Sequence, residues 1–281
     1  MPLFDEFQKI SLHRGYSHSI LFCVLGAFFI AYILSKLKWT KEVQFRKLLR
    51  FSFLALFTHV LLDAFTSYGT QLFLPFTDWR VSFDSISIID PVYTIPLLVG
   101  VLLSVFYFKK NDQKRGLPNN IGLVVSSLYL LFTLANKQNI EQVFQTQLEE
   151  QSIPSFRLLT VPVAIGNTIW YGVAKDKTHL HIGKYSHLEK NEIEFHSFPT
   201  NDQLLNGLDE ILIDKMKWFA QGFYTVAEKD GKIRIYNMQC DMQGVREFGD
   251  YRAPTAFYYE ITPKENGDYD LTSGMHMETI D

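Results

Sequence analysis

Two residues with the chemistry of metal ligands, His59 and Asp63, lie four positions apart in the otherwise apolar stretch FTHVLLDAFTSYG (residues 57–69). Residues at i and i+4 of a helix lie on the same face, so both side chains can reach one ion. Ionisable groups inside an apolar membrane helix are costly and indicate a function by default. The alternative is a histidine and a carboxylate that only hydrogen-bond to each other or to neighbouring helices.

The stretch LHRGYSHS (residues 12–19) offers two further ligands. We expect His18 to be a third ligand, and His13 to be a fourth ligand or a neighbour of the ion. Histidine nitrogen combined with carboxylate oxygen favours zinc, or otherwise manganese or iron. Three protein ligands leave a position open for water, and a metal lowers the pKa of that water enough to form a nucleophile. The sequence therefore predicts a divalent metal site, with zinc as the expected ion.

Charged residues that could act on a substrate flank these ligands. Arg14 and Arg80 carry guanidinium groups, which suit the oxygens of a phosphate or another anion. Asp90 directly precedes Pro91, a residue typical of the first turn of a helix, so Asp90 is either a site residue or a helix cap. We take Arg14, Arg80 and Asp90 as the candidate catalytic residues.

Four apolar segments have the length to cross a bilayer as helices, which takes about 20 residues. They are residues 19–37, 48–69, 87–108 and 121–137. Continuous apolar runs of this length are rare in soluble domains. We therefore predict an α-helical polytopic membrane bundle of about four transmembrane helices over residues 1–140.

The distribution of basic residues predicts the orientation of this bundle. Lysine and arginine are concentrated between the first and second segments and between the third and fourth, whereas residues 70–86 contain only Arg80. Positive charge marks the cytoplasmic side of a membrane. The metal ligands and the chain after residue 140 are then expected on the outer face of a bacterial inner membrane.

Residues 141–281 predict a small, strand-rich α+β domain outside the cytoplasm. Strand patterns begin near residue 153, Asp230–Gly231 indicates a hairpin, and residues 202–221 have helical periodicity. His179 and His181 lie on one face of a strand, which we expect to be exposed rather than to bind metal. We expect this domain to cover the membrane site or to bind a partner.

The net charge and the positions of the two cysteines argue against two further features, a nucleic-acid partner and a disulfide. The formal net charge of −3 argues against nucleic acid as a partner. Cys23 lies in an apolar run and Cys240 in the polar part, so a disulfide between them is not expected.

The motifs HRGYSHS, THVLLDAFTSYGTQLFLPFTDWRVSFD and IIDPVYTIPLL, in this order, resemble the YdjM or YbcI-like family of bacterial inner-membrane proteins. The resemblance extends from about residue 13 to residue 108, and more loosely through the polar half of the chain. Proteins of this family are described as membrane-bound metal-dependent hydrolases. The resemblance implies three metal ligands, His18, His59 and Asp63. It also implies a set of active-site neighbours, namely His13, Arg14, Asp78, Arg80 and Asp90.

One departure from the family concerns the residues before HRG. Relatives carry a further acidic segment there, where this chain has MPLFDEFQKISL. One interpretation is that Asp5 and Glu6 are a remnant of that segment, and the other is that the chain begins late. If a carboxylate of that segment is a metal ligand, the site of this chain is incomplete.

The resulting expectation is a metal-dependent hydrolase that acts on an ester or phosphoester at the outer face of the membrane. Membrane lipids are the expected partners, with a lipid-linked or phosphorylated substrate. Two alternatives stay open at this point. One is a non-catalytic protein with a structural metal or hydrogen-bond cluster and a partner-binding domain, and the other is a transporter.

Overall fold

The computed structural model describes residues 6–163, 165–189, 191–239, 257–263 and 269–275. The chain divides into two compact units, Met1–Phe83 and Asp84–Asp281. The first unit is helical, and the second combines helices with two antiparallel sheets. The predicted boundary at residue 140 concerns a different division, between a membrane part and a soluble part of the chain. That boundary stays a prediction.

The first unit is built on a pair of apolar helices, α2 (Ile20–Lys36) and α3 (Phe45–Phe65), preceded by the short helix α1 (Glu6–Leu12). Ser19 caps α2, because its hydroxyl oxygen accepts a hydrogen bond from the Phe22 N–H at 3.1 Å. Small residues are buried at four-residue spacing along α2, which lets α3 approach closely. These residues are Cys23, Ala27 and Ala31.

The outward surface of this helix pair is apolar. Leu25, Phe29, Phe51 and Leu54 are each more than half exposed. Soluble proteins seldom expose contiguous apolar patches of this kind. An apolar outward surface of this kind is typical of helices that contact lipid.

The second unit begins with two further apolar helices, α4 (Pro91–Leu102) and α5 (Leu117–Glu150), and a π-helical turn continues α4 over Leu103–Tyr107. The two helices pack backbone against backbone. A Cβ on Gly122 would lie 2.4 Å from the Pro96 carbonyl oxygen, and one on Gly100 would lie 2.7 Å from that of Pro118. Close contacts through small residues are typical of helices that pack inside membranes.

Two of the described helices, α3 and α5, are long and apolar enough to cross a membrane. The segments 20–36 and 91–107 are apolar helices of lesser length. The helices also begin and end at other residues than predicted. The second segment ends at Phe65 rather than at residue 69, the third begins at Pro91, and the fourth continues to Glu150.

Helix α5 changes its surroundings along its length. Val124, Leu128 and Leu131 are more than half exposed in its first part, whereas Ile140 and Phe144 are buried in its last part. The buried residues pack against Trp170 and Ile193 of the strand-rich region. One continuous helix therefore joins an apolar surface to the core of the β structure.

Two antiparallel four-stranded sheets, each with its strands in chain order, form the rest of the second unit. The first sheet contains β1 (Arg157–Pro162), β2 (Ile169–Lys175), β3 (His179–Ser186) and β4 (Phe195–Pro199). The second contains β5 (Tyr224–Lys229), β6 (Lys232–Asn237), β7 (Phe257–Pro263) and β8 (Tyr269–Met275). The predicted strands are confirmed, as is the hairpin at Asp230–Gly231, where both residues have positive φ. The turn between β7 and β8 lies outside the described residues.

The two sheets pack face to face. Tyr171 and Val173 of β2 share a buried cluster with Tyr236 of β6. Helix α5 covers the opposite face of the first sheet, where its Phe144 shares a buried cluster with Trp170 of β2. Helix α6 (Glu210–Phe219) lies on the second sheet, where Phe219 packs edge-on against Tyr259.

Helix α6 is shorter than the periodicity over residues 202–221 predicts. Gly207 has a φ of 84° and follows the short 3-10 turn Asp202–Leu205. The helix begins anew after Asp209, whose carboxylate accepts a hydrogen bond from the Leu212 N–H at 2.9 Å.

Candidate metal centre

Three donor side chains, His18, His59 and Asp63, converge at one end of the helix pair. The Asp63 Oδ2 atom lies 3.3 Å from His18 Nε2 and 3.8 Å from His59 Nε2. One ligand atom from each residue lies within 4.8 Å of those of the other two. Within the described residues this is the one group of at least three such side chains so arranged. The structure therefore brings together three of the four predicted ligands.

Helix geometry and a short turn position these donors. His59 and Asp63 lie one turn apart near the end of α3, and His18 ends the 3-10 turn Tyr16–His18 just before α2. The Ser17 hydroxyl lies 2.9 Å from His18 Nδ1, so that contact leaves Nε2 to face Asp63. A hydrogen bond to the second ring nitrogen is the usual way of orienting a metal-binding histidine.

Burial lowers the pKa of His18, while Asp63 opposes this shift and His59 and Arg14 add to it. A lowered pKa favours the neutral imidazole, which is the form that binds a metal ion. The electrostatic surroundings of His18 thus suit a ligand.

Arg14 holds the other side of the Asp63 carboxylate. Its Nη2 atom lies 3.3 Å from Asp63 Oδ1, and its Nη1 donates to the Thr66 hydroxyl at 2.6 Å. Arg14 is buried and has a positive φ of 52°, and its carbonyl accepts from the Gln71 N–H at 3.0 Å. The carboxylate therefore presents Oδ1 to an arginine and Oδ2 to two histidines.

Tyr68 lies between the two predicted catalytic arginines. The Arg14 and Arg80 guanidinium carbons lie 5.0 and 4.9 Å from the centre of its ring. Arg80 is 2% exposed and donates to the Tyr68 carbonyl at 2.6 Å and to that of Gly69 at 3.1 Å. These contacts make Arg80 a residue that fixes the loop after α3.

His13 belongs to this aromatic contact rather than to the three donors. Its ring packs edge-on against Tyr68, with 4.7 Å between ring centres. Burial lowers the pKa of His13, and the charges of Arg14, His18 and Arg80 act in the same direction, whereas Asp63 opposes them. A neutral ring suits this packing position.

Asp90, the third predicted catalytic residue, lies in the second unit and caps α4. Its Oδ1 accepts from the Val92 N–H at 2.9 Å, and its Oδ2 accepts from the Tyr129 hydroxyl at 2.7 Å. The structure thus shows Asp90 as the cap of α4 with Pro91 in the first turn, and the candidate catalytic role of Asp90 stays a prediction. Of the acidic residues before HRG, Asp5 and the side chain of Glu6 lie outside the described residues.

The donor set fits a divalent metal ion. Tetrahedral ligands about 2.0–2.1 Å from zinc lie roughly 3.3 Å from one another. The pair His18 Nε2 and Asp63 Oδ2 has this separation, 3.3 Å. The His59 side chain is 63% exposed, which leaves it room to close the longer distance of 3.8 Å.

The first sheet contains a chain of polar contacts that the sequence did not predict. His181 lies between Ser197 and Asp176, with Nδ1 2.7 Å from the serine hydroxyl and Nε2 3.2 Å from Asp176 Oδ2. The prediction of an exposed face is wrong for His181, which is 8% exposed. Ser197 pairs directly with His181 across β3 and β4, and Asp176 accepts from the N–H groups of Thr178 and His179. The chain of contacts therefore secures the turn between β2 and β3.

The apolar helices and the donor cluster at the end of one pair define the class of protein: a membrane protein with a helical N-terminal half and a candidate metal centre. Residues 1–140, which include all three donors, match the model of the YdjM inner membrane protein family. The chain belongs to the YdjM family of inner membrane proteins, which confirms the resemblance seen in its motifs. No curated protein and no solved structure is significantly similar to it.

Proposed function

We propose that this protein is a membrane-bound metal-dependent hydrolase, with His18, His59 and Asp63 as the ligands of a divalent ion, preferably zinc. The observation that carries the proposal is the convergence of their donor atoms within 4.8 Å. His59 adds a second argument, because its side chain is 63% exposed and lies 3.8 Å from Asp63. Contacts this exposed contribute little to stability, so packing does not explain a histidine in an apolar helix.

A divalent ion at this position supplies Lewis-acid activation of water and polarises an acyl or phosphoryl oxygen. The protein residues around it have separate tasks. Ser17 orients the His18 ring, and Arg14 holds Asp63 Oδ1 so that Oδ2 faces the histidines. Arg14 also places a positive charge in contact with Asp63 and would attract an anionic substrate. Arg80 acts one residue further away, by holding Tyr68 against Arg14.

We further propose that all four apolar helices cross the inner membrane. Support comes from the exposed apolar surface of α2 and from the backbone contacts between α4 and α5. The basic loops then lie in the cytoplasm, and the donors and the β sheets face outward. An ester or phosphoester of a membrane lipid would reach the donors without leaving the bilayer surface.

The metal content of the purified full-length protein tests the ligand assignment. We expect a stoichiometric divalent ion in the wild type and its loss in His59→Ala and Asp63→Asn, measured by plasma mass spectrometry. His179→Ala, which changes a histidine of β3, serves as the matched control and should retain the ion. Equal metal content in all four proteins would refute the assignment.

Hydrolysis of lipid esters and phosphoesters in mixed micelles tests the reaction separately. We expect product release by the wild type, its loss after chelation, and its return when zinc is added back. If the wild type binds metal but hydrolyses the substrates no faster than Asp63→Asn does, the second candidate is favoured. This candidate is a structural metal that joins the ends of α2 and α3. The direct contacts of Asp63 with Arg14 and His18 favour that alternative.

A further inference from the structure

We infer that the loop of residues 73–79, here called the aromatic loop, inserts into the lipid headgroup layer and fixes the depth of the metal centre in the membrane. The loop exposes three large aromatic side chains: Phe73 at 40%, Phe76 at 86% and Trp79 at 60%. The rings of Phe73 and Trp79 stack, with 6.0 Å between their centres. Because Phe76 and Trp79 are exposed, they do not contribute to a core, and only an apolar surrounding such as a bilayer would remove their rings from water.

The surface of the neighbouring helices identifies the membrane as the occupant. The Ile20 N–H donates to the Leu72 carbonyl at 2.9 Å, which places the aromatic loop beside the first turn of α2. That turn exposes Leu21 and Phe22, and the apolar surface continues through Leu25. A bilayer that surrounds α2 therefore reaches the loop. Tryptophan is the residue most typical of the boundary between headgroups and hydrocarbon.

The aromatic loop is connected to the metal centre through backbone contacts. Thr70 and Val81 exchange two hydrogen bonds of 2.9 Å at the base of the loop, and the Gln71 N–H donates to the Arg14 carbonyl. Arg80 holds Tyr68, which packs on Arg14, and Arg14 pairs with Asp63. The depth of the loop therefore sets the depth of the donors.

The position of the donors also implies a class of substrate, which rests on the proposed function. Donors held at headgroup depth meet the ester and phosphoester groups of lipids in the same leaflet. The substrate class is accordingly the headgroup region of an intact membrane lipid rather than a soluble ester.

Fluorescence quenching by brominated lipids tests the insertion without any assay of activity. The full-length protein and its Trp79→Phe variant are placed in phosphatidylglycerol–phosphatidylcholine vesicles with bromine at shallow or deep positions of the acyl chain. The difference between the two proteins isolates Trp79, and we expect stronger quenching by shallow bromine than by deep bromine. Trp218 of α6, isolated in the same way with Trp218→Phe, is the control and should not respond.

Two outcomes would overturn the insertion. One is a Trp79 signal that brominated lipids leave unchanged and aqueous acrylamide quenches fully. The other is stronger quenching by the deep bromine, which would place the loop in the hydrocarbon core.

The double variant Phe76→Ser/Trp79→Ser tests separately whether the substrate is an intact membrane lipid. We expect a loss of hydrolysis of vesicle lipid with an unchanged rate on a soluble short-chain phosphoester and unchanged metal content. Equal losses on both substrates would refute this class of substrate but leave the quenching result intact. Absence of hydrolysis in the wild type would refute the proposed function and leave the insertion standing.

Discussion

Asp63 is the residue on which two networks of the first unit meet. One carboxylate oxygen pairs with the buried Arg14, and the other faces His18 and His59. The first contact compensates a buried charge, whereas the second brings together the three candidate metal donors. The structural role of Asp63 and its candidate role as a metal ligand can therefore be distinguished by comparing substitutions of Asp63 with substitutions of His59.

We predict that Asp63→Asn lowers the free energy of unfolding by up to about 3 kcal/mol, because it leaves the Arg14 charge without its carboxylate. His59→Ala should cost less than about 1 kcal/mol, since its contact is long and exposed. Thermal unfolding in detergent, followed by circular dichroism with metal removed, measures both. A larger loss in His59→Ala than in Asp63→Asn would contradict this division of roles.

Asp176 makes the stability of the β structure depend on pH. Burial by itself raises the pKa of Asp176, but the N–H groups of Thr178 and His179 and the ring of His181 lower it to about 2, below the ordinary 3.8. A carboxyl group with a lowered pKa in the folded state stabilises that state at higher pH. This contribution is complete above pH 3.8 and is lost as the pH falls toward 2.

We therefore predict that Asp176→Asn is less stable than the wild type at pH 5 and approaches it near pH 2. Denaturant titrations of the full-length protein at several pH values measure the difference. Asp214→Asn, on the exposed side of α6, is the control and should follow the wild type. A constant difference between Asp176→Asn and the wild type over this range would contradict the assignment.

The sequence predicted that the three candidate donors converge, because the signals of these residues are local. His59 and Asp63 have helical spacing, and His18 directly precedes an apolar helix. The roles of Arg80 and His181 depend instead on burial and strand register, which neither spacing nor composition contains. The sequence left the cap at Asp90 as one of two possibilities, and the start of α4 together with the contact with Tyr129 shows that Asp90 has this structural role.

At the scale of the elements, the crossing of α4 and α5 depends on the absence of a side chain at Gly122. A Cβ there would lie 2.4 Å from the Pro96 carbonyl oxygen, and backbone cannot move aside as a side chain can. We predict that Gly122→Ala destabilises the second unit by about 1–3 kcal/mol.

Gly116→Ala is the matched control for this prediction, since a Cβ at Gly116 has nothing within 4 Å. Unfolding of both variants in detergent micelles provides the comparison. Equal stability of the two variants would show that α4 and α5 tolerate a wider separation.

The elements were predicted well where apolar runs or alternation are strong, and their ends less well. Helix α3 ends four residues earlier than predicted because the Thr66 hydroxyl donates to the Asp63 carbonyl and the chain turns there. The extension of α5 was missed because residues 138–150 are polar on average. Ile140, Phe144 and Leu148 nevertheless repeat every four residues, a pattern that indicates a helix packed on one side.

At the scale of the whole molecule, the proposed orientation follows from the basic loops. We predict that alkaline phosphatase fused after residue 281 is active, because it is exported, whereas a fusion after Trp39 is inactive. Green fluorescent protein fused at the same two positions should give the opposite pattern. An inactive phosphatase at the carboxyl end would overturn the outward placement of the sheets.

The continuity of α5 has a geometric consequence. Its 34 residues pass without a break from an apolar surface into the β core, so its helical phase sets the direction in which the sheets face. One residue inserted between the exposed and the buried part would turn the sheets by about 100° around the helix axis and raise them by about 1.5 Å. Seven inserted residues would restore the facing to within roughly 20° while adding about 10 Å of height. Insertions of seven residues would thus shift the sheets along the axis of α5 with little change in the direction that they face.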